Sequence, residues 1–253
     1  MKKTYQLPVA ILIALMFLTP GCKKETSTTT TLLSGNLFGF VTLYDQYGGK
    51  VLSGVAPTNV SLVAANNNQT LNTVTDSTGK YTYNSIAEGQ YLLSYTNTGF
   101  GTILNAPLGF LGGGNIDHDV KLSAIPNFYD SLLSTPVDTL NNIVLNGTFS
   151  GTDTRKRTYV IFIGSSPSVS SAPANYLTYY TGTANNNLTT FTQKIALSDL
   201  TDLGFTAGST VYFAVYGAAA DFASTSDVED YTTGRLNFTA ISSNPATTSI
   251  VLP

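Results

Sequence analysis

The sequence predicts an all-β protein made of two tandem antiparallel β-sandwich domains. Apolar residues recur at every second position in short runs, Gly, Asn and Asp separate these runs, and no segment carries a sustained helical stripe. Only 11% of the 253 residues are charged and 42% are hydrophobic. A chain of this composition can bury a core, so a disordered protein expanded by charge repulsion is excluded.

The charge balance argues against a nucleic-acid partner. Twelve Lys and Arg residues face 15 Asp and Glu residues, which gives a formal net charge of −3. Nucleic-acid-binding surfaces are instead strongly basic. The chain also contains a single cysteine, which cannot form a disulfide within the chain, so a disulfide scaffold is excluded.

Residues 1–21 are typical of an export signal peptide. Lys2 and Lys3 give a positively charged start, and the apolar run from Leu7 to Leu18 is shorter than the ~20 residues that span a bilayer. The signal ends at residues 19–22, Thr-Pro-Gly-Cys. This ending resembles the lipobox of bacterial lipoproteins, in which the cysteine is lipidated.

The resemblance implies that Cys22 carries acyl chains and tethers the mature protein to a membrane. Several acyl chains hold a protein firmly at a bilayer. Lys23 stands where an Asp would signal inner-membrane retention in some bacteria, so the resemblance favours the outer membrane of the cell envelope. Residues 22–36 then comprise the lipidated cysteine and a flexible, Thr-rich tether. The alternative is an ordinary secretory signal followed by a free thiol.

Residues 37–125 are predicted to form the first sandwich. The turn Asp76-Ser77-Thr78-Gly79 lies between two predicted strands, where an Asp caps the turn and a Gly adopts a positive φ. The spacing of Thr75-Asp76-x-x-Gly79-x-Tyr81-x-Tyr83 and Ile86-x-x-Gly89-x-Tyr91-x-Leu93 resembles the carboxypeptidase regulatory-like domain. This resemblance implies a transthyretin-like (prealbumin-like) sandwich without peptidase chemistry, serving as a folding partner, spacer or adhesive module.

Residues 126–136 are predicted to be a linker, and residues 137–253 a second sandwich. Val211–Tyr216 is apolar at successive positions, which is typical of a central strand. The approach to this strand, residues 208–215, resembles that of fibronectin type III domains. The resemblance implies an immunoglobulin-like fold for this half.

The inventory of reactive side chains predicts no catalytic residue, no metal site and no cofactor. His118 is the only imidazole, so Ser-His-Asp, Cys-His and zinc sites lack the residues they need. Asp117 and Asp119 share a face if this segment is a strand. Two carboxylates are too few for a calcium site, because calcium takes 6–8 oxygen ligands. No phosphate-binding, dinucleotide-binding or nucleophile-elbow motif is present.

Tyr176, Tyr179 and Tyr180 are the candidate ligand-binding residues, because tyrosine rings stack on sugars and cover protein partners. The absence of Trp counts against carbohydrate binding, and one of the two adjacent tyrosines is expected to lie in the core.

The sequence therefore predicts a non-catalytic, membrane-anchored cell-envelope lipoprotein that serves as a surface structural or adhesive module for an unidentified protein or glycan. One alternative is a glycan-binding component of an outer-membrane nutrient-uptake system. Another is a hydrolase that uses a serine and acids for which the sequence shows no motif. Paired carboxylates for glycoside hydrolysis are conceivable among Asp221, Asp227, Glu229 and Asp230, but residues 218–231 are more simply explained as a long, solvated acidic loop.

Overall fold

The computed structural model describes residues 32–52, 56–151, 153–184, 187–220, 228–230 and 234–253. The predicted signal peptide, Cys22 and the tether up to residue 31 lie outside the described residues, so lipidation stays a prediction. Residues 32–253 form one unit by their contacts. Within the described ranges, no helix is long and apolar enough to cross a membrane.

The structure confirms the all-β fold. Its described residues form seventeen strands, one short α-helix and one 3₁₀ turn (Pro173–Asn175). The elements are β1 (Ser34–Tyr44), β2 (Asn59–Ala64), β3 (Thr70–Val74), β4 (Lys80–Ala87), β5 (Gly89–Thr96), β6 (Ile103–Phe110), β7 (Asn115–Asp117), β8 (Val120–Ser123), β9 (Asp130–Ser134), β10 (Asn142–Phe149), β11 (Arg157–Gly164), β12 (Thr178–Ala184), β13 (Thr190–Ala196), α1 (Leu197–Asp202), β14 (Thr210–Ala218), β15 (Val228–Asp230), β16 (Arg235–Asn237) and β17 (Ala246–Val251).

Strands β1–β8 form two sheets that enclose one core. One sheet has the order β3-β2-β5-β6, and in the other β1 pairs with β4, β7 and β8. Both β7 and β8 run parallel to β1, the first along its beginning and the second along its end. Tyr91, Leu93 and Tyr95 are buried at alternate positions of β5, as the period-two pattern predicts. The inward residues of both sheets share this core.

The turn before β4 forms as the sequence predicts. Asp76 Oδ1 accepts hydrogen bonds from the backbone N–H groups of Thr78 (2.8 Å) and Lys80 (3.0 Å). Gly79 has a φ of +85°, and a Cβ added there would lie 2.6 Å from the carbonyl oxygen of Val41. Glycine is therefore required both by the backbone conformation and by the space available.

Strands β9–β14 and β17 form the second pair of sheets, with the orders β13-β10-β9 and β12-β11-β14-β17. Strand β14 lies between β11 and β17, which confirms the predicted central strand. It is buried on both faces because a second apolar cluster, which includes Val169, Phe238 and Ala240, covers the sheet on the side away from the main core. Residues 126–136, the predicted linker, include β9, which pairs with β10.

Candidate functional site

Tyr176, a predicted ligand contact, is a core residue of the described structure. Its side chain is 3% exposed and its ring centroid lies 4.9 Å from that of Phe162. The Tyr176 hydroxyl donates a 2.8 Å hydrogen bond to the carbonyl oxygen of Leu236. A ligand cannot stack on this ring without displacing its packing partners.

Tyr179 and Tyr180 point to opposite faces of their sheet. The ring of Tyr179 packs at 4.9 Å from Phe238 in the same cluster as Tyr176. Tyr180 packs against the main core, and its hydroxyl donates to Asp199 Oδ2 at 3.0 Å. Burial and the hydrogen bond to Asp199 raise the pKa of Tyr180. The structure thus brings Tyr176 and Tyr179 together and separates Tyr180 from them, and ligand binding by this trio stays a prediction.

The single histidine takes part in a closed hydrogen-bond network. The Tyr81 hydroxyl donates to the carbonyl oxygen of His118 at 2.7 Å, and it lies 2.9 Å from the Tyr95 hydroxyl. The Tyr95 hydroxyl in turn lies 2.9 Å from His118 Nδ1. Each hydroxyl has one proton, and Tyr81 uses its own in the bond to the His118 carbonyl. The Tyr95 hydroxyl must therefore donate to Tyr81, and His118 Nδ1–H must donate to Tyr95.

The phenols of this network are held in their protonated form. Burial raises the pKa of Tyr81 to about 12 and that of Tyr95 above its ordinary range, so both phenols are neutral at physiological pH. Asp119, next to the histidine, accepts a 2.7 Å hydrogen bond from the backbone N–H of Phe40. Among the residues that the structure describes, no group of three or more His, Cys, Asp or Glu side chains is placed to hold a metal ion.

The side chains of the four acids considered for glycoside hydrolysis lie outside what the structure describes. Asp221 and Asp227 lie outside the described residues, and for Glu229 and Asp230 only the backbone strand is described.

The described residues of the first sandwich include two concavities that could hold a ligand. The larger, of about 900 Å³, lies beside the end of β1, residues 50–52 and the turn at residues 75–79. The carboxylates that line it are already engaged, because Asp76 caps its own turn and Asp119 accepts from Phe40. Their role in organising the backbone leaves them less available to a ligand.

The second concavity, of about 610 Å³, lies on the outer face of the sheet formed by β3, β2 and β5. Its side chains form two rows of three across the strands, because Asn59 pairs with Val74 and Thr96, and Ser61 pairs with Asn72 and Ser94. We call these six residues the polar face: Asn59, Ser61, Asn72, Val74, Ser94 and Thr96. None of them is charged, and all have short side chains.

The polar groups of this face are largely unpaired within the protein. Within the described part of the chain, the side chains of Asn59, Ser61, Asn72 and Thr96 form no hydrogen bond with protein groups. Ser94 Oγ accepts a 2.9 Å bond from the backbone N–H of Asn105, which leaves its proton free to be donated. The face therefore presents an uncharged array of donors and acceptors.

Sequence analysis did not identify the polar face, although the alternation within one of its strands was visible. The alternation in β2 places Val60 and Leu62 inward and therefore Asn59 and Ser61 outward. The contribution of β3 and β5 depends on strand register, which the alternation alone does not specify.

No family model matches the chain, and no curated protein matches it. Among solved structures, it is similar to a Bacteroides uniformis protein described as a "putative carbohydrate binding protein", at 17% identity, 87% coverage of this chain, 100% coverage of that chain and a TM-score of 0.34. It is also similar to a DUF3823 family protein from Bacteroides ovatus, at 15% identity, 87% and 100% coverage and a TM-score of 0.31. A third is BcpA, the major pilin subunit of Bacillus cereus, at 12% identity, 74% and 65% coverage and a TM-score of 0.28.

Proposed function

We propose that this protein is a non-catalytic, lipid-anchored binding protein of the cell envelope, and that its polar face binds a neutral glycan. The observation that carries the proposal is the array of uncharged hydroxyl and amide groups across three strands, most of which have no partner among the described residues. Neighbouring strands lie about 4.8 Å apart, so the array offers several donors and acceptors within the width of one sugar unit.

The chemistry of the polar face matches a polyhydroxylated ligand. Hydroxyl and amide groups both donate and accept hydrogen bonds, as sugar hydroxyls do. Val74, which is 54% exposed, offers an apolar contact to the C–H face of a sugar ring. A charged ligand would find no ion-pair partner among the side chains that line this concavity.

The non-catalytic part of the proposal is supported by the hydrogen bonds that the histidine and its two neighbouring tyrosines already make. His118 Nδ1 is occupied by Tyr95, and burial raises the pKa values of the two tyrosines in that network, so neither tyrosine is activated as a nucleophile. Turnover of an ester, peptide or glycoside substrate by the purified full-length protein would contradict this part.

Glycan-array binding by the full-length protein, solubilised from membranes in detergent, tests the ligand class. We expect binding to neutral oligosaccharides, and Asn59→Ala and Asn72→Ala should each weaken it about three- to tenfold, as expected for one lost hydrogen bond. Asn84→Ala is the matched control, because Asn84 is an exposed asparagine on β4 in the opposite sheet. An array without binding, or equal losses in all three variants, would overturn the proposal.

The anchor is tested separately by metabolic labelling with radioactive fatty acid. We expect label in the wild-type chain and none in the Cys22→Ser variant. Equal labelling of the two proteins would contradict lipidation at Cys22.

A structural role as a rigid spacer is the second candidate, because specific contacts join the two sandwiches. Gln46 Nε2 donates to Asn127 Oδ1 at 2.8 Å, and the Asn127 backbone N–H donates to Gln46 Oε1 at 2.7 Å. The backbone N–H of Ala220 also donates to the carbonyl oxygen of Gln46 at 3.0 Å. A glycan array without binding, together with a scattering profile of one rigid particle, would favour this candidate.

A further inference from the structure

Three exposed leucines lie at the end of the first sandwich where the chain enters β1. Leu32 and Leu33 are each 55% exposed and Leu111 is 83% exposed. We call these three residues the leucine corner. Exposed apolar side chains that occur singly are ordinary, whereas contiguous groups of them are typical of interaction surfaces.

The three leucines belong to one local structure. Leu111 precedes Gly112 and Gly113, whose φ angles of +69° and +71° form the turn between β6 and β7. A Cβ added to Gly112 would lie 2.7 Å from Leu33 Cβ, so the turn packs directly on Leu33. The backbone N–H of Gly113 also donates to the carbonyl oxygen of Ser34 at 3.0 Å.

Charged side chains of the first sandwich lie mainly towards its other end. Lys80 pairs with Phe40, and Lys121 pairs with Thr42, both in the second half of β1. Beside the leucine corner, the charged residue that the structure describes is Glu88, whose backbone N–H donates to the carbonyl oxygen of Leu33. This end of the sandwich therefore carries little charge, and its exposed polar side chains at residues 66–69 are uncharged.

The length of the preceding chain points to the occupant of this surface. Ten peptide units separate Cys22 from Leu32, and they span at most about 35 Å when fully extended. Acyl chains on Cys22 would keep the leucine corner within that distance of the bilayer. At such a short tether length the effective concentration of the lipid surface is high, so docking requires less contact free energy than it would for an untethered protein.

We propose that the leucine corner rests on the lipid bilayer that holds the acyl chains of Cys22. This inference depends on the proposed lipid anchor. Strand β1 leads away from the leucine corner for 11 residues, about 35 Å, to the hairpin that contacts the second sandwich. The second sandwich then lies farthest from the membrane.

Tryptophan fluorescence in lipid vesicles tests the docking, because the natural chain contains no Trp. Leu111→Trp is introduced into the full-length lipidated protein, which is reconstituted into phosphatidylethanolamine and phosphatidylglycerol vesicles containing brominated acyl chains. The matched control is Leu140→Trp, at a position that is 77% exposed in the turn before β10 of the second sandwich. We expect a blue-shifted emission and about twofold quenching for Trp at position 111, and no quenching at position 140.

The outcomes separate failure of the docking from failure of the anchor. Loss of co-flotation with vesicles would overturn both the anchor and the docking, whereas co-flotation without quenching at position 111 would overturn the docking alone. A blue shift without bromine quenching would show that protein rather than lipid covers the Trp at position 111, and would also overturn the docking. Adding Leu32→Asp to the Leu111→Trp variant should reduce the quenching towards that of the control, and unchanged quenching would contradict the proposal.

Discussion

The guanidinium carbon of Arg155 lies 3.6 Å from the centroid of the Tyr47 ring. Tyr47 belongs to the hairpin after β1 of the first sandwich, and Arg155 lies in the loop before β11 of the second. The same tyrosine ring stacks on Phe128 at 6.1 Å, with 22° between the planes. Arg155 is held in place by Asp153, whose Oδ2 lies 2.6 Å from Nη2 of the guanidinium. Tyr47 therefore packs, partly buried, against the core of the second sandwich and couples it to the first.

Removing the Tyr47 ring should loosen this coupling. We expect Tyr47→Ala to lower the free energy of unfolding of the full-length protein by about 1–3 kcal/mol, because one stacking contact and one cation–π contact are lost. Urea unfolding measures the change. Tyr129→Ala, at a position that is 40% exposed, is the control and should cost less. Equal losses in the two variants would show that the Tyr47 contact contributes nothing specific.

The hydrogen-bond network around His118 should depend on the Tyr95 hydroxyl. Tyr95→Phe leaves His118 Nδ1 and the Tyr81 hydroxyl without this partner in a buried site. We expect a loss of about 1–3 kcal/mol in the free energy of unfolding. The measurement is again urea denaturation, with Tyr129→Phe as the control. A Tyr95→Phe protein as stable as the wild type would mean that the network adds no stability.

Asp130 should make the stability of the protein depend on pH. Its side chain is 2% exposed, and neither carboxylate oxygen has a hydrogen-bond partner among the described residues. Burial raises the pKa of Asp130 to about 7. Between the ordinary Asp pKa of ~3.9 and about 7, the folded state keeps a proton that the unfolded state has lost, so stability falls as pH rises.

The variant Asp130→Asn isolates this contribution. At pH 8 we expect it to be more stable than the wild type by on the order of 2–4 kcal/mol, and near pH 4 the difference should disappear. Thermal unfolding over this pH range measures it. The lowered pKa values of Asp76 and Asp138 act in the opposite direction and at lower pH, since their stabilisation is lost on acidification. A difference that does not change with pH would contradict the assignment to Asp130.

Tyr176 should behave as a core residue. Tyr176→Ala removes a buried ring and its hydrogen bond to Leu236, so we expect the free energy of unfolding to fall by about 3–5 kcal/mol. Glycan binding, measured well below the melting temperature, should stay unchanged. Leu177→Ala, at the neighbouring 37% exposed position, is the control for stability. Loss of glycan binding with unchanged stability would show that Tyr176 is a ligand contact.

Local patterns predicted the fold class and several of its details. The alternation of apolar residues in β5 predicted which of its side chains face the core. The Asp76–Gly79 turn was predictable because its hydrogen bonds join residues that are close in the chain. Apolar residues at successive positions of β14 likewise predicted a strand that is covered on both faces. Each of these features is encoded within a few consecutive residues.

The candidate site depended on residues that are distant in the chain. The polar face forms only when β2 pairs with β3 and β5 in one particular register, which the alternation within each strand leaves open. Tyr176 looked available to a ligand because the sequence does not show that Phe238, sixty-two residues later, packs against it. The sequence by itself determined the all-β architecture and the reactive groups it offers, whereas the tertiary structure alone decided which aromatic and polar side chains meet solvent, because burial is set by contacts between distant segments.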